Sequence, residues 1–212
     1  MRFCYTNILI SILLFIACSH STKKTNEESS IHKIKEPQND TIQIVCLDFK
    51  EKKILQVIKS KIESYYHCPT VVKEMKMPES FISPLRHRYE GIKIIAFLKN
   101  QNIYHYRFVA GLTSNDICDP KNGIKDWGVF GLGGLDGSGC ISSTCRLKKG
   151  VSEQKVTERL EKVVLHEIGH NHGLNHCVSR YPCFMKEARG KIKTVDDEPM
   201  DMCVECKKKI KS

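Results

Sequence analysis

Histidines and a glutamate near position 170 have the types and spacing of a metal-dependent hydrolytic site. His166 and His170 lie four residues apart, so on a helix they point the same way, one turn from each other. Two imidazoles placed in this way can bind one zinc ion. Glu167, next to the first of them, can take a proton from a water that the metal activates. The pattern therefore predicts a zinc site with Glu167 as its general base.

Gly173 and His176 extend the pair to a site with three histidines. Gly173 favours a helix end in the left-handed conformation, so the chain can turn and bring His176 to the metal as a third ligand. Three protein ligands leave the fourth position to water, which is typical of catalytic zinc sites, and HExxHxxGxxH is a known zincin pattern. The alternative is a histidine-rich amphipathic helix with capped ends. His172 follows His170 by two positions, so we expect it to point away from the metal and to be exposed to solvent.

The residues after His176 resemble one family. Cys177, Cys183 and Met185 come next, and a CxxC pair at 203–206 follows after an interval of seventeen residues. This order resembles the archaemetzincins, zinc metallopeptidases with the pattern HExxHxxGxxHCxxxxCxM, seventeen residues and CxxC. Five residues separate the first two cysteines here, where that family usually has four. The resemblance implies that Met185 forms the turn beneath the catalytic metal. It also implies a second zinc ion on four cysteines, and so two zinc ions per chain.

The four cysteines Cys177, Cys183, Cys203 and Cys206 also have a chemical reason to bind a structural metal. Four thiolates complete a tetrahedral zinc site, and such sites stabilise regions that lack a core of their own. Residues 174–206 contain few apolar side chains, which favours this interpretation. Two disulfides are the alternative, because an oxidising compartment would permit them. A redox role for the CxxC pair is disfavoured, because no strand-helix-strand pattern surrounds it.

The N-terminal segment is predicted to be a signal followed by a tether. Residues 8–17 form an apolar run that is shorter than the about twenty residues a membrane-spanning helix needs. Residues 15–18, Phe-Ile-Ala-Cys, are similar to a bacterial lipobox, which predicts a lipoprotein signal peptide over residues 1–17 and lipidation of Cys18. A plain secretory signal is the alternative. Residues 18–40 are polar and predict a flexible tether. We therefore expect an extracytoplasmic protein, lipid-anchored in a bacterial cell envelope.

Residues 41–212 have the length of one domain, and their pattern alternates strands with helices. Strands are predicted at 41–49, 70–75, 103–112 and 139–147, and helices at 51–66, at 85–100, after Ser152 and within 198–212. This alternation is typical of a layered α/β domain. Together with the resemblance, it predicts a metzincin-like single domain with a mixed twisted sheet, an active-site helix and a small zinc-stapled C-terminal part.

Two segments are predicted to position the site. Ser152 is a good N-cap for the active-site helix, and a buried stripe along that helix is predicted at Val156, Leu160, Val163, Val164 and Ile168. Residues 129–135 are rich in glycine, which suits an edge strand that another backbone can approach closely. By analogy with metzincins, this segment is expected to bind an extended peptide by strand addition. An ordinary glycine-rich turn is the alternative.

The net charge of +10 does not predict a nucleic-acid-binding protein. The lysines are scattered among 24 acidic residues, and no platform of basic and aromatic residues is present. This distribution favours a solvated basic surface.

Five cysteines remain after those of the N-terminal segment and of the proposed second zinc site: Cys46, Cys68, Cys118, Cys140 and Cys145. An odd number cannot all pair within one chain. A disulfide from Cys118 to Cys140 or Cys145 is one possibility. Cys46 lies in an apolar strand and is interpreted as a core residue.

These features favour a zinc-dependent peptidase, in which Glu167 takes a proton from water and returns it to the leaving amine. The expected partners are a peptide or protein substrate and, through the lipid, a membrane, with no nucleic acid. The alternative is a non-catalytic, zinc-containing, lipid-tethered binding protein. The presence of all three histidines and of the glutamate counts against it.

Overall fold

Strands and helices alternate along the described part of the chain, which in this computed structural model covers residues 40–102, 105–135, 137 and 139–210. The elements are, in chain order, β1 (Ile42–Leu47), α1 (Lys52–Tyr66), β2 (Thr70–Met75), β3 (Tyr89–Glu90), α2 (Gly91–Gln101), β4 (Phe108–Thr113), β5 (Ile117–Cys118), β6 (Gly128–Val129), β7 (Gly131–Gly133), β8 (Cys140–Ser143), α3 (Glu153–Asn171), α4 (Ile192–Asp197) and α5 (Val204–Ile210). Among these described residues, no helix is both long and apolar enough to cross a bilayer.

The central sheet is mixed and has the order β2-β1-β4-β8-β7. The first four strands run parallel, and β7 pairs with β8 in the antiparallel direction. A second, smaller sheet has the order β3-β5-β6. β7 is therefore an edge strand of the main sheet, and the predicted α/β fold with a mixed sheet is confirmed.

Helices cover both faces of the sheet, because successive side chains of a buried parallel strand point to opposite sides. In β1, Ile44 and Cys46 join the core beneath α1 and α3, whereas Val45 and Leu47 join the core beneath α2. The stripe predicted for the active-site helix is buried at all five positions: Val156, Leu160, Val163, Val164 and Ile168. This stripe fixes α3 against the sheet, as predicted.

Several boundaries differ from the sequence prediction. α3 begins as predicted, since the Ser152 hydroxyl accepts a hydrogen bond from the Lys155 backbone N–H at 3.3 Å. α2, however, begins at Gly91 rather than near residue 85, because Tyr89 and Glu90 pair with β5. β4 begins at Phe108, after residues 105–107 that are not in the strand, whereas residues 103 and 104 of the predicted strand lie outside the described residues. β8 has four residues and ends at Ser143, after which the chain turns.

The five cysteines left over by the sequence argument are all free thiols in the structure. The possible disulfide from Cys118 to Cys140 or Cys145 is therefore not formed. Cys46 is 4% exposed and packs in the core, as predicted.

His172 is partly buried, and the prediction that it is exposed was wrong. Its ring stacks on Tyr66 with a centroid distance of 5.0 Å and meets Phe108 edge-on at 4.7 Å. Its Nε2 atom is buried and has no hydrogen-bond partner among the described residues. Burial, with a smaller contribution from the Arg107 charge, lowers the pKa of His172 to about 4. The C-terminal end of α3 thus packs against α1 and β4.

His172 should make the stability of the fold depend on pH. The unfolded chain binds the proton with a pKa near 6.5, so this contribution to stability is complete above about pH 6.5 and is lost as the pH falls towards 4. His172→Phe keeps the aromatic packing and removes the titration. Between about pH 7 and pH 4, the variant should lose about 1–2 kcal/mol less free energy of unfolding than the parent, after allowance for solvent screening. Denaturant titration at both pH values measures this, and equal losses would contradict it.

Candidate active site and metal centres

Helix α3 and the turn after it bring three histidines together. The Nε2 atoms of His166 and His170 are 3.0 Å apart. The ring of His176 lies 5.3 Å from that of His166 and 4.9 Å from that of His170, measured between centroids. One ring nitrogen of each histidine lies within 4.8 Å of those of the other two. The structure therefore groups the three histidines that the sequence pattern selected.

Backbone carbonyls determine which nitrogen of each helical histidine faces the centre of the group. Nδ1 of His166 lies 2.7 Å from the Phe184 carbonyl oxygen, and Nδ1 of His170 lies 2.6 Å from that of Leu174. A carbonyl oxygen only accepts, so each Nδ1 carries the proton and donates it. In the neutral rings, both Nε2 atoms then face each other with bare lone pairs. Such carbonyl contacts are typical of metal-binding histidines.

The electrostatics of the group keep these rings neutral. Burial, followed by the nearby His170, lowers the pKa of His166 to about 3. Burial also lowers the pKa of His170 and of His176. Two unprotonated nitrogens 3.0 Å apart repel each other unless a cation lies between them. The donor set therefore fits a zinc ion, for which neutral imidazole is a preferred ligand.

Glu167 lies in the wall between α3 and the edge strand β7. It is 7% exposed, and burial raises its pKa to about 8. A methyl group added at Gly131 would lie 2.5 Å from the Glu167 Oε1 atom, and one added at Gly133 would lie 2.6 Å from the Glu167 backbone oxygen. The two glycines of β7 thus let the strand approach the carboxylate and the helix backbone closely.

A cleft of about 460 Å³ opens onto these residues. β7 and α3 form its floor and walls, residues 119–121 with Trp127 form one rim, and residues 186–190 form the other. An ion pair between Lys121 and Glu187 links the two rims. β7 was predicted as the peptide-binding edge, and it does line the cleft beside the histidines.

Met185 packs against α3 at Gly169. It is fully buried, and a methyl group added at Gly169 would lie 2.5 Å from its Sδ atom. Its carbonyl oxygen accepts a hydrogen bond of 2.8 Å from the Cys177 backbone N–H. The methionine predicted from the resemblance therefore packs on the helix that carries His166 and His170, and its place beneath the metal stays a prediction.

The four predicted cysteines also converge. The Sγ atoms of Cys177, Cys183, Cys203 and Cys206 all lie within 4.8 Å of one another. The Sγ atoms of Cys177 and Cys203 are 3.7 Å apart, close to the about 3.8 Å between two thiolates on a tetrahedral zinc ion and far from the about 2.05 Å of a disulfide. The cluster therefore fits a closed four-thiolate zinc site.

Sequence reasoning missed residues that support the site from a distance. The side-chain amide of Asn171 donates to the carbonyl oxygens of Gly134 and Gly139, at 2.9 and 2.8 Å, and so ties the end of α3 to the turn between β7 and β8. Glu198 lines the cleft although it lies 22 positions after His176. Neither residue belongs to a spacing pattern, so no sequence signal identified them.

An α/β domain with an HExxHxxGxxH helix beside an edge strand and a cleft defines a zinc metallopeptidase. The model of Peptidase family M54 matches residues 40–212, and the chain belongs to this family. An archaemetzincin of Halobacterium salinarum is 28% identical over 160 residues, covering 71% of this chain and 88% of that protein.

Solved structures agree with this assignment. The archaemetzincin from Methanopyrus kandleri superposes with a TM-score of 0.70 at 26% identity, covering 82% of this chain and 96% of that one. The archaemetzincin from Archaeoglobus fulgidus, solved in complex with malonate, gives a TM-score of 0.68 at 25% identity, covering 80% and 99%. The resemblance to the archaemetzincins is confirmed.

Proposed function

We propose that this metallopeptidase hydrolyses peptide bonds with Glu167 as the general base, beside a zinc ion held by His166, His170 and His176. The observation that carries the proposal is the pair of bare Nε2 atoms 3.0 Å apart, with the buried Glu167 next to them on the same helix. A zinc ion held there would lower the pKa of a bound water and polarise the scissile carbonyl.

Glu167 moves the proton in this mechanism. Its carboxylate takes a proton from water as the water oxygen bonds to the carbonyl carbon, and returns it to the nitrogen as the C–N bond breaks. A base that must later act as an acid works best with a pKa near the working pH. Burial in the wall beside β7 raises the pKa of Glu167 towards that range. The edge strand β7 would seat the peptide in extended form, with its unpaired side toward the cleft.

Digestion of a mixed peptide pool tests the peptidase function. The zinc-loaded protein should cleave peptides, a chelator should abolish cleavage, and added zinc should restore it. Cleavage that resists complete removal of zinc would contradict the proposal. The non-catalytic alternative is not favoured, since the chain belongs to a peptidase family and retains the whole motif.

Alanine substitutions at the two glycines of β7 should have different effects. Gly131→Ala meets the Glu167 carboxylate, which can shift, so turnover should fall about 10- to 100-fold with little loss of stability. Gly133→Ala meets the Glu167 backbone, which cannot shift cheaply, so the protein should be destabilised by about 1–3 kcal/mol. Kinetics and denaturant unfolding of both variants measure this. If the two variants lose the same turnover and the same stability, the contacts assigned to Gly131 and Gly133 are wrong.

A second zinc ion on Cys177, Cys183, Cys203 and Cys206 is also part of the proposal. The convergence of the four sulfur atoms supports it. With the catalytic ion, this gives two zinc ions per chain.

The N-terminal segment is proposed to secrete and anchor the peptidase. Residues 1–17 would be a lipoprotein signal, residues 18–40 a tether and residues 41–212 the peptidase domain, which would place the enzyme outside the cytoplasm in the cell envelope. The signal, Cys18 and residues 18–39 lie outside the described residues, so the apolar run and the Ala-Cys pair support this proposal. Incorporation of labelled fatty acid that Cys18→Ala abolishes would support the anchor, and equal labelling of both proteins would contradict it.

A further inference from the structure

Glu198 presents a carboxylate whose Oε1 atom is buried and has no hydrogen-bond partner among the described residues. The residue lines the same cleft as the histidine group and Glu167. Buried polar oxygens in folded proteins almost always have a donor, because leaving one unpaired costs about 1–3 kcal/mol. The residue also lines the cleft and its carboxylate forms no ion pair among the described residues, so a cationic group of a ligand can supply the missing counter-charge there.

The backbone that carries Glu198 is firmly placed. Its N–H donates to the Thr194 carbonyl oxygen at 3.0 Å, at the end of α4. A bidentate ion pair holds α4 on α3: the Arg159 guanidinium donates two hydrogen bonds to the Asp196 carboxylate, at 2.8 and 2.7 Å. A group on such rigid support keeps its position when a ligand arrives.

Neighbouring cations do not satisfy this carboxylate. The Lys162 ammonium donates to the carbonyl oxygens of Val195 and Asp196, at 3.0 and 3.3 Å, and pairs with Glu158 at 3.3 Å. Among the described residues, no lysine or arginine lies within 4.0 Å of the Glu198 carboxylate. Burial, opposed by the more distant charges of Lys162 and Lys186, raises the pKa of Glu198 to about 8. The carboxyl group thus lacks the counter-charge that would stabilise its ionised form.

Glu198 and Lys162 line the same cleft as the histidine group. Lys162 precedes His166 by four residues of α3, which is about 6 Å along the helix axis, and its charge acts on Glu198. Val163 and Val195 line the cleft in the same region and offer an apolar wall. Long basic side chains pack their methylene stems on such walls and place the charged end against an acid.

We infer that Glu198 determines specificity by binding a positively charged nitrogen of the substrate peptide, carried by a lysine or arginine side chain or by a free N-terminus. The inference rests on the proposed function, because it requires the peptide to occupy this cleft. A charge-assisted hydrogen bond in such a place should favour the cationic ligand by about 10- to 100-fold.

Calorimetric binding to the zinc-loaded full chain tests the inference without turnover, in a Glu167→Gln background. The probes are hexa-alanine peptides capped at both ends with a central lysine, arginine or norleucine, and the norleucine peptide with a free N-terminus. The capped lysine and arginine peptides should bind 10- to 100-fold more tightly than the norleucine peptide if the side chain is recognised. If the N-terminus is recognised instead, only the uncapped peptide should bind more tightly than its capped form.

Adding Glu198→Gln should reduce either advantage to within about threefold, whereas Glu161→Gln, on the same helix as the histidines but outside the cleft, should leave it intact. Equal binding of all four peptides, or an advantage that survives Glu198→Gln, would overturn the inference. Hydrolysis by the protein with Glu167 intact separates the two claims. Cleavage without any preference for charge refutes the role of Glu198 alone, whereas selective binding with no cleavage of any peptide refutes the proposed chemistry.

Discussion

Glu167→Gln should lower kcat on a cleaved peptide by about a thousandfold, within the 10²- to 10⁴-fold range of general-base catalysis, and leave the zinc content unchanged. The amide has nearly the shape of the carboxylate but cannot accept the proton from water. Glu167 contributes no atom to the group of three ring nitrogens, so the metal site should survive.

Glu161→Gln is the matched control, because Glu161 lies on the same helix and pairs with Lys61 at 3.7 Å. Its kcat should stay within about twofold of the parent, since Glu161 does not line the cleft. If Glu167→Gln and Glu161→Gln cleave peptides equally fast, Glu167 is not the base. Zinc analysis of each preparation must accompany the kinetics, so that loss of metal is not mistaken for loss of the base.

Cys183→Ser should remove the second zinc ion and destabilise the protein by more than about 3 kcal/mol, which corresponds to a fall in Tm of roughly 10 °C. Cys183 is fully buried and packs with Met185 and Phe184 in one cluster. The Phe184 carbonyl is the hydrogen-bond acceptor for His166, so loosening this cluster should also weaken the catalytic site.

Cys145→Ser provides the control, since Cys145 is an exposed free thiol outside the cluster. It should keep two zinc ions per chain and the parental Tm. Elemental analysis measures the zinc content of the parent, of Cys183→Ser and of Cys145→Ser, and scanning calorimetry measures the Tm of each. An unchanged zinc content in Cys183→Ser would contradict the four-thiolate site, and four fewer titratable thiols in the unreduced, unfolded parent would indicate two disulfides instead.

The candidate metal-binding residues could be predicted from the sequence because their geometry is local or follows a fixed pattern. His166 and His170 share a face of α3 by helical spacing alone, and Ser152 marks the start of that helix. The α/β class followed from the alternation of strand and helix patterns along the chain. The four strands predicted from these patterns correspond to β1, β2, β4 and β8, which all lie in the main sheet.

The features that were missed depend on contacts between distant segments. α2 starts late because Tyr89 pairs with Ile117, which no local pattern shows. His172 is buried because Tyr66 and Phe108 meet at the end of α3, although helical spacing alone directs it away from the metal. Glu198 reaches the cleft only because α4 docks on α3, so a single glutamate in a polar stretch gave no signal.

Anomalous diffraction at the zinc absorption edge, from crystals of the purified protein, tests the central claim most directly. Two peaks per chain are expected: one bounded by the ring nitrogens of His166, His170 and His176, and one among the four cysteine sulfur atoms. A side chain of His176 turned away, with no peak between His166 and His170, would contradict the account.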